Sequence, residues 1–465
     1  MSRICLILEG SYPFTVGGVA EWTHRLIQGL HDEEFVLWTI SPRGDEPFRY
    51  ELPENVVEVR RVALGGSPEK DAPTHGNRQE GWNEIAAFHL ELIDGDYDRF
   101  ASVVMQVSEP GTRSLNLRHL LRDKQGWRLV THFHRRNMPI EPFVDYYWSW
   151  MATHMPVFKM LQQQPPEADL YHAVSTGYAG LLGAMAKVRT GKPFLLTEHG
   201  IYAKEREMEI YGSDLVKGYQ KKMWHKMFRG LAKIAYDQAD QIVALFERNR
   251  KAQIELGAPP TKTRVIPNGI DPERFAEIHR NGRPPVPEIG FVGRVTPIKD
   301  VKTFILSAKI LGERFPTARF TVVGPTDESP HYYRECVQLT RHLGLEGRLT
   351  FTGRADVVAY YERFDLLMLT SVKEAQPLSL IEAMTAGVPI VATDVGDVRD
   401  LLQNDGFVVP PKAPDELADA ATRLLSEPAR AREMARRARE RALRQYDIRK
   451  IWRDYATLYH SLMYA

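Results

Sequence analysis

The sequence predicts an α/β protein in which two doubly wound, Rossmann-like domains face each other across a cleft. Short apolar runs alternate with amphipathic helical stretches along most of the 465 residues, a pattern typical of parallel sheets covered by helices on both faces. The alternation occurs in two series, separated by the proline-rich stretch 276–288, which lacks periodicity. We therefore expect an N-terminal domain at 1–280, a C-terminal domain at 281–445, and a final helix in 446–465 that packs back on the first domain.

The first series predicts the strands of the N-terminal domain. A helical stretch, VAEWTHRLIQGL, follows the first strand and places its apolar residues on one helical face. The stretch 65–126 is polar and breaks the rhythm, so we interpret it as an insertion. The predicted strands are RICLIL (3–8), EFVLWTI (34–40), WRLVTHF (127–133), ADLYHAV (168–174) and PFLLTEH (193–199).

The second series predicts the six strands of the C-terminal domain. In open parallel sheets, ligands bind beyond the carboxyl ends of the strands. A ligand is therefore expected in the cleft between the two domains. The predicted strands are EIGFVGR (288–294), ARFTVVG (318–324), RLTFTG (348–353), DLLMLTS (365–371), PIVATD (389–394) and GFVVP (406–410).

Composition argues against several classes of protein. Lys and Arg together number 61 and Asp and Glu 60, which is not the basic excess of a nucleic-acid-binding protein. Cys5 and Cys336 are expected to be buried free thiols. The apolar run ICLIL is too short for a signal-peptide core or a membrane span. We expect a cytoplasmic protein, and peripheral docking at the inner face of a membrane stays open.

Two glutamates flank a predicted helix start in the segment EAQPLSLIEAM, which begins at Glu374 and contains Glu382. Pro377 suits the first turn of a helix, because its missing N–H is not needed there. The amides of Leu378 and Ser379 then point out of the helix N-terminus, where partial positive charge favours an anion such as a diphosphate. The two carboxylates are too far apart in sequence to need the same ligand atom.

A basic pair follows the first strand of the same domain. The segment GRVTPIK offers Arg294 and Lys299 at the end of that strand. Such residues neutralise a diphosphate through charge-assisted hydrogen bonds. Either residue alone would be interpreted as a solvated surface cation, but together with the helix N-terminus they favour a diphosphate site.

These segments resemble the sugar-nucleotide domain of retaining glycosyltransferases of family 4, which have the GT-B fold. The resemblance rests on GRVTPIK, VIPNGIDPERF and EAQPLSLIEAMTAGVPIVATDVGDVRDLL and, in the first domain, on GGV, DLYHA and TEHG. The stretches SYPFTVGGVAEWTH and TEHGIYAKEREMEI look closer still to the glycosyltransferases of pellicle (Pel) exopolysaccharide synthesis, which serve biofilm formation.

The resemblance implies an activity and its partners. A hexose or N-acetylhexosamine would pass from a UDP-sugar, such as UDP-glucose or a UDP-N-acetylhexosamine, to a saccharide acceptor hydroxyl, with retention and without a metal. The enzyme would contribute to exopolysaccharide biosynthesis, with a membrane-embedded polysaccharide synthesis and export complex as a partner. No nucleic acid is expected. The residues assigned to catalysis are Glu374, His199, Lys299 and Arg294.

The resemblance also assigns residues to parts of the donor. Glu382 would bind the ribose hydroxyls, and Glu374 would lie at the transferred sugar. The amides of Ala375 and Gln376 would contact sugar hydroxyls. The amides at the helix N-terminus, those of Leu378 and Ser379, and the basic pair would hold the phosphates.

Four further residues complete the assignment. Arg354 occupies the position at which relatives hold the base through main-chain atoms. Gly17 and Gly18 would let the backbone of the first domain approach the phosphates. His199 corresponds to the histidine that hydrogen-bonds the donor sugar, although a lone histidine in LLTEH is also typical of a core residue.

The sequence departs from the family pattern at two places. Relatives usually have an aromatic residue and a glycine after the first glutamate, where this chain has Gln376 and Pro377. A pair of glycines in relatives is Gly396-Asp397 here. These departures leave the class of donor unchanged and put the identity of the sugar in doubt.

Several alternatives stay open. A non-hydrolysing sugar-nucleotide epimerase shares the architecture, and a catalytically silent nucleotide-sugar-binding scaffold would keep the binding residues. The triplet DGD (94–96) is better explained as a polar turn than as a metal motif. The basic helix ARAREMARRARERALR (429–444) is expected to be a solvated face, with membrane or partner contact as the alternative.

Overall fold

The computed structural model describes residues 1–65, 73–94, 97–109, 111–214, 216–278 and 286–464. The chain divides into two compact units, residues 1–266 with 454–465, and residues 267–453. The predicted boundary near residue 280 lies later in the chain than this division. Ile270, Phe275 and Ile278 pack in the core of the second unit, so the segment before the predicted linker belongs with that unit.

The first unit contains a seven-stranded parallel sheet in the order β3-β2-β1-β4-β5-β6-β7. Its central strands are apolar and fully buried, as expected for a parallel sheet covered on both faces. Their carboxyl ends lie along one edge of the sheet. The strands are β1 (Arg3–Glu9), β2 (Glu34–Ser41), β3 (Val56–Ala63), β4 (Leu170–Ala173), β5 (Phe194–Glu198), β6 (Gln241–Ala244) and β7 (Thr263–Val265).

Ten helices of the described residues 1–266 accompany this sheet. Those in the stretch interpreted as an insertion carry Trp82 and Phe100 into the core of the first unit. The helices are α1 (Gly18–Gly29), α2 (Arg78–Asp94), α3 (Phe100–Val107), α4 (Leu117–Arg122), α5 (Lys124–Asn137), α6 (Phe143–Leu161), α7 (Tyr178–Thr190), α8 (Tyr202–Gly212), α9 (Gly218–Gln238) and α10 (Glu247–Glu255).

The prediction of a strand at WRLVTHF is wrong, because this run lies inside α5. Val130, Phe133 and His134 are buried on one face of that helix, and the Asp123 side chain caps its start by accepting the Gln125 N–H. A short apolar run is compatible with either a strand or a buried helix face. Strands β3, β6 and β7 were not predicted, because they are charged or only three or four residues long.

The second unit contains a six-stranded parallel sheet in the order β10-β9-β8-β11-β12-β13. All six strands coincide with predicted ones. They are β8 (Glu288–Val292), β9 (Arg319–Val323), β10 (Leu349–Gly353), β11 (Leu366–Leu369), β12 (Ile390–Thr393) and β13 (Phe407–Val409). The helices are α11 (Val301–Arg314), α12 (Pro330–His342), α13 (Val357–Arg363), α14 (Leu378–Thr385), α15 (Val398–Leu402), α16 (Pro414–Ser426) and α17 (Pro428–Gln445).

The last helix, α18 (Ile448–Met463), contributes its carboxyl-terminal half to the first unit. There, His172 on β4 is buried. Its Nδ1 lies 2.8 Å from the Tyr459 hydroxyl, and its Nε2 lies 2.8 Å from Thr197 Oγ1. Burial lowers the pKa of His172 to about 3, so it is a neutral core residue. No described helix is long and apolar enough to cross a lipid bilayer.

Candidate active site

The loop that leaves β11 leads directly into the N-terminus of α14. Pro377 occupies the cap position, and the helix begins at Leu378. Leu380, Ile381 and Met384 are buried and fix the helix to the core of the second unit. The first amides of an α-helix have no partner within the helix, so the amides of Leu378 and Ser379 lie where an anion can accept from them.

An ion pair stands immediately before this helix. Lys299 Nζ lies 2.5 Å from Glu374 Oε1, and the Ser371 hydroxyl donates to the same oxygen at 2.6 Å. The side chains of Lys299 and Glu374 are only 16% and 10% exposed. The structure therefore brings together two residues that lie on separate sequence segments, and it encloses both.

Backbone contacts hold the lysine in this position. Lys299 ends a short 3-10 turn, Pro297–Lys299, that follows β8. The Thr370 hydroxyl, at the end of β11, lies 3.0 Å from the Lys299 carbonyl oxygen. The Val372 N–H donates to the carbonyl oxygen of Ile298 at 2.9 Å. Two neighbouring strands of the sheet thus determine the position of the ammonium group.

The second glutamate, Glu382, lies on α14 itself. The Tyr361 hydroxyl is 3.1 Å from Glu382 Oε2 and 2.9 Å from the Ser379 carbonyl oxygen. Burial, together with the charge of Glu382, raises the pKa of Tyr361, so this hydroxyl stays protonated and able to donate. Tyr361 was not predicted from the sequence, because its position on α13 gives no signal of this role.

The two arginines of the predicted site are more exposed. Arg294 Nη1 lies 2.6 Å from Glu328 Oε2 and its side chain is 41% exposed. Arg354 pairs with Asp327 at 3.4 Å and is 65% exposed. Surface pairs of this kind contribute little stability, so Arg294 can exchange its carboxylate partner for another anion.

The loop that carries Ala375 and Gln376, predicted to bind the donor sugar, has internal contacts that the sequence does not predict. The Gln376 side chain donates to Asp397 Oδ2 at 2.7 Å and accepts the Asn268 N–H at 2.7 Å. The Asp397 N–H donates to the Ala375 carbonyl oxygen at 3.0 Å. Asn268 belongs to the segment VIPNGIDPERF, which carries part of the family resemblance but assigned no role to this residue.

Gly396 is required by this arrangement. Its φ of +54° lies in the left-handed region, which side chains other than glycine rarely adopt. A Cβ at this position would clash with the carbonyl oxygens of Ala375 and Glu374. The turn before α15 therefore packs directly on the loop that carries Glu374.

In the first unit, Gly17 caps α1 and Gly18 begins it. Gly17 is in extended conformation, with φ of 177°, which any residue adopts. A Cβ on either glycine would meet no atom within 4 Å. Packing within the chain thus does not require glycine at these positions, and they leave open space at the N-terminus of α1.

His199 follows β5 and is 9% exposed. Its ring packs edge-on against Trp22, with centroids 4.4 Å apart, and its Nε2 has no hydrogen-bond partner among the described residues. Burial lowers the pKa of His199 to about 3, so the imidazole is neutral. A buried polar atom without a partner is uncommon and calls for an explanation such as a ligand. Trp22 was predicted only as part of the apolar face of α1.

Beside this histidine, Glu198 holds the loop after β5 in place. Its carboxylate accepts from the Tyr236 hydroxyl at 2.6 Å, the Thr176 hydroxyl at 2.9 Å and the Gln253 amide at 3.1 Å. Burial raises the pKa of Glu198, although these hydrogen bonds oppose the rise. The network fixes the backbone from which His199 projects.

In the part of the chain that the structure describes, no group of three or more His, Cys, Asp or Glu side chains is arranged to hold a metal ion. Of the triplet DGD, residues 95 and 96 lie outside the described residues. Both cysteines are free and buried.

The sequence matches two family profiles. Residues 2–261 match a domain of unknown function, DUF3492, and residues 286–427 match glycosyl transferases group 1. The D-inositol 3-phosphate glycosyltransferase of Kineococcus radiotolerans is 31% identical over 233 residues, which cover 44% of this chain and 54% of that protein. The match therefore spans about half the length of this relative.

Solved structures establish the fold. HepE of Anabaena, crystallised with UDP, superimposes with a TM-score of 0.64 at 18% identity over 99% of this chain and 100% of that chain. Sucrose-phosphate synthase of Thermosynechococcus elongatus gives a TM-score of 0.61 at 18% identity, over 99% of both chains. The predicted fold class is confirmed: each unit is a Rossmann-like α/β domain of the GT-B fold.

The contact of Gly396 with the Glu374 loop predicts an unequal cost of two glycine replacements. Gly344→Ala introduces a side chain at a φ of +67° with nothing within 4 Å, so it should cost only the left-handed strain of about 1–2 kcal/mol. Gly396→Ala should cost about 1–3 kcal/mol more, because it also overpacks the loop. Chemical denaturation followed by circular dichroism measures both. Equal costs would contradict the close packing described here.

Proposed function

The chain belongs to the DUF3492 family and carries a glycosyl transferases group 1 domain, and on this premise we propose that it is a retaining glycosyltransferase. It would transfer a hexose or N-acetylhexosamine from a UDP-sugar to an acceptor hydroxyl. The observation that carries the proposal is the enclosed Lys299–Glu374 pair at the N-terminus of α14. This arrangement places a cation, helix amides and a carboxylate side by side.

The donor proposal draws on chemistry and on a neighbour. A diphosphate needs positive charge and N–H donors, which Lys299 and the first turn of α14 supply. HepE, which has a similar fold, was crystallised with UDP, and this supports a uridine nucleotide here. Glu382 is proposed to accept from ribose hydroxyls, and the Tyr361 hydroxyl would hold its carboxylate in place.

The proposed reaction needs charge stabilisation at the departing phosphate. As the bond between the sugar C1 and the phosphate oxygen breaks, negative charge grows on the diphosphate, and Lys299, Arg294 and the helix N-terminus stabilise that charge. The acceptor oxygen bonds to C1 on the same face, and its proton passes to the departing phosphate oxygen. No metal is assigned a part.

Glu374 is proposed to act on the sugar. A diphosphate that binds Lys299 competes with Glu374 for the ammonium group, so donor binding would release this carboxylate toward the sugar. A carboxylate there stabilises the positive charge that develops at C1. In the first unit, His199 is proposed to offer the unpartnered Nε2 to the donor sugar, and the open backbone at Gly17 and Gly18 to approach the phosphates.

The biological setting rests on the sequence resemblance. We propose that the acceptor is a growing exopolysaccharide and that the protein is related to the glycosyltransferases of Pel synthesis. A cytoplasmic location, with docking onto a membrane-embedded synthesis and export complex, follows from that proposal. The exposed arginines of α17, including Arg432 and Arg444, are proposed to face an anionic partner.

A donor survey tests the proposed function. Purified protein is incubated with UDP-, GDP- and ADP-sugars in the presence of a saccharide acceptor, and nucleotide release is measured with and without EDTA. UDP release from at least one UDP-sugar, unchanged by EDTA, is the expected result. Loss of activity in EDTA that manganese restores would contradict the metal-independent mechanism. Epimerisation of the UDP-sugar without nucleotide release would indicate an epimerase instead.

Replacing Glu374 by alanine and replacing Glu382 by alanine should change different kinetic constants. Glu382→Ala removes contacts that are equal in ground and transition states, so it should mainly raise the donor KM. Two hydrogen bonds to a charged acceptor are worth about 2–4 kcal/mol. Glu374→Ala removes a charge needed as the bond breaks, so it should mainly lower kcat.

Steady-state kinetics on both variants measures this difference. Glu313→Ala is the control, because this glutamate on α11 is 66% exposed and pairs with Lys309 one turn away on the same helix. Full kcat in Glu374→Ala, or an unchanged donor KM in Glu382→Ala, would remove that residue from its proposed role.

A further inference from the structure

The two departures from the family pattern meet in the structure. Gln376 and Asp397 lie in different loops, and their side chains are joined by a hydrogen bond of 2.7 Å from Nε2 to Oδ2. Gln376 is 6% exposed and Asp397 4%. A hydrogen bond between enclosed groups is expensive to lose, because the remaining partner keeps its desolvation cost without compensation.

Both residues have a second attachment to the same loop. Gln376 Oε1 accepts the Asn268 N–H at 2.7 Å, so both ends of its amide are engaged. The Asp397 N–H donates to the Ala375 carbonyl oxygen at 3.0 Å. Asp397 therefore contacts two consecutive residues of the loop: its N–H binds the Ala375 carbonyl, and its carboxylate binds the Gln376 side chain.

These two contacts of Asp397 determine the orientation of the loop amides. Fixing the Ala375 carbonyl orients the peptide plane that it shares with the Gln376 N–H, because the peptide unit is planar. The Ala375 N–H belongs to the preceding peptide, whose carbonyl oxygen, that of Glu374, packs against Gly396. The positions of both N–H groups are thus set by the turn at Gly396 and Asp397.

We infer that Gln376 and Asp397 are a coupled pair of positioning residues that aims the Ala375 and Gln376 amides at the donor sugar. The inference rests on the proposed function, which makes this loop the sugar site. Neither side chain needs to touch the sugar. The pair instead determines how well the protein distinguishes a nucleotide sugar from the nucleotide alone.

The Asp397 carboxyl suits this role in either protonation state. Burial raises the pKa of Asp397 to about 7, with a further rise from Asp400 on α15, the helix that starts after Asp397, while the Gln376 hydrogen bond opposes both. The buried Tyr446 hydroxyl also faces this charge. Oδ2 accepts from Gln376 whether the group is charged or neutral, so an asparagine oxygen can replace it.

A double-mutant cycle tests the coupling. The variants are Gln376→Ala, Asp397→Ala, the double alanine variant and the conservative Asp397→Asn. Each alanine variant should lower kcat/KM for the UDP-sugar about tenfold or more. The double variant should be no worse than Gln376→Ala, because that variant has already lost the bond to Asp397 as well as the contact with Asn268. Asp397→Asn should recover most of the activity. Asp400→Asn is the control, because Asp400 is an exposed carboxylate on α15, and its kcat/KM should stay within about twofold of the wild type at pH 8.

Ligand titration separates positioning from general damage. UDP alone should bind the alanine variants with nearly wild-type affinity, while the UDP-sugar should no longer bind them more tightly than UDP does. Losses that multiply in the double variant, or equal weakening of UDP and UDP-sugar, would overturn the inference.

Hydrogen exchange tests the pair without any ligand. Amides of the segment 374–378 should exchange at least about tenfold faster in both alanine variants than in the wild type, Asp397→Asn or Asp400→Asn. Unchanged exchange in the alanine variants would overturn the inference even if activity fell. If the wild type bound no nucleotide sugar while exchange behaved as expected, the proposed function would fail and the structural coupling would stand, but its role at a sugar site would be withdrawn.

Discussion

The ion pair between Lys299 and Glu374 is the interaction on which this account of the second unit depends. It joins the loops that follow two neighbouring strands, β8 and β11, and both side chains are nearly enclosed. Removing one partner of such a pair typically costs about 3–5 kcal/mol, because the other charge is left buried without compensation. Such a pair stabilises both loops, and it keeps the Lys299 ammonium at a position where a diphosphate can bind it.

The residues around the pair differ in how firmly they are held. Glu382 projects from a helix whose inner face is packed in the core, and Tyr361 adds a hydrogen bond from a neighbouring helix. Glu374 lies in a loop, where its partners can be exchanged. A fixed carboxylate suits a part of the donor that does not react, such as the ribose. A carboxylate with an exchangeable partner suits the sugar, where charge changes during the reaction.

Sequence alone predicted the second unit well and the first unit less well. The six strands of the second sheet are apolar runs bounded by turns, which is the clearest signal for a buried parallel strand. WRLVTHF in the first unit carries the same signal but belongs to a helix, because its length and composition suit both structures. The glutamates and Lys299 were found from motif spacing. The Gln376–Asp397 bond was not, since it depends on the left-handed turn at Gly396, which brings together loops from different strands.

The affinity for UDP of two charge-removing variants tests the central claim most directly. If the Lys299 ammonium leaves Glu374 and binds the diphosphate when UDP binds, Lys299→Met should weaken UDP binding about tenfold or more, as expected for losing a charge-assisted contact. Glu374→Gln should bind UDP at least as tightly as the wild type, because the competing carboxylate has been neutralised. Calorimetric titration of both variants gives the answer. Wild-type affinity in Lys299→Met, or a tenfold loss in Glu374→Gln, would contradict the account.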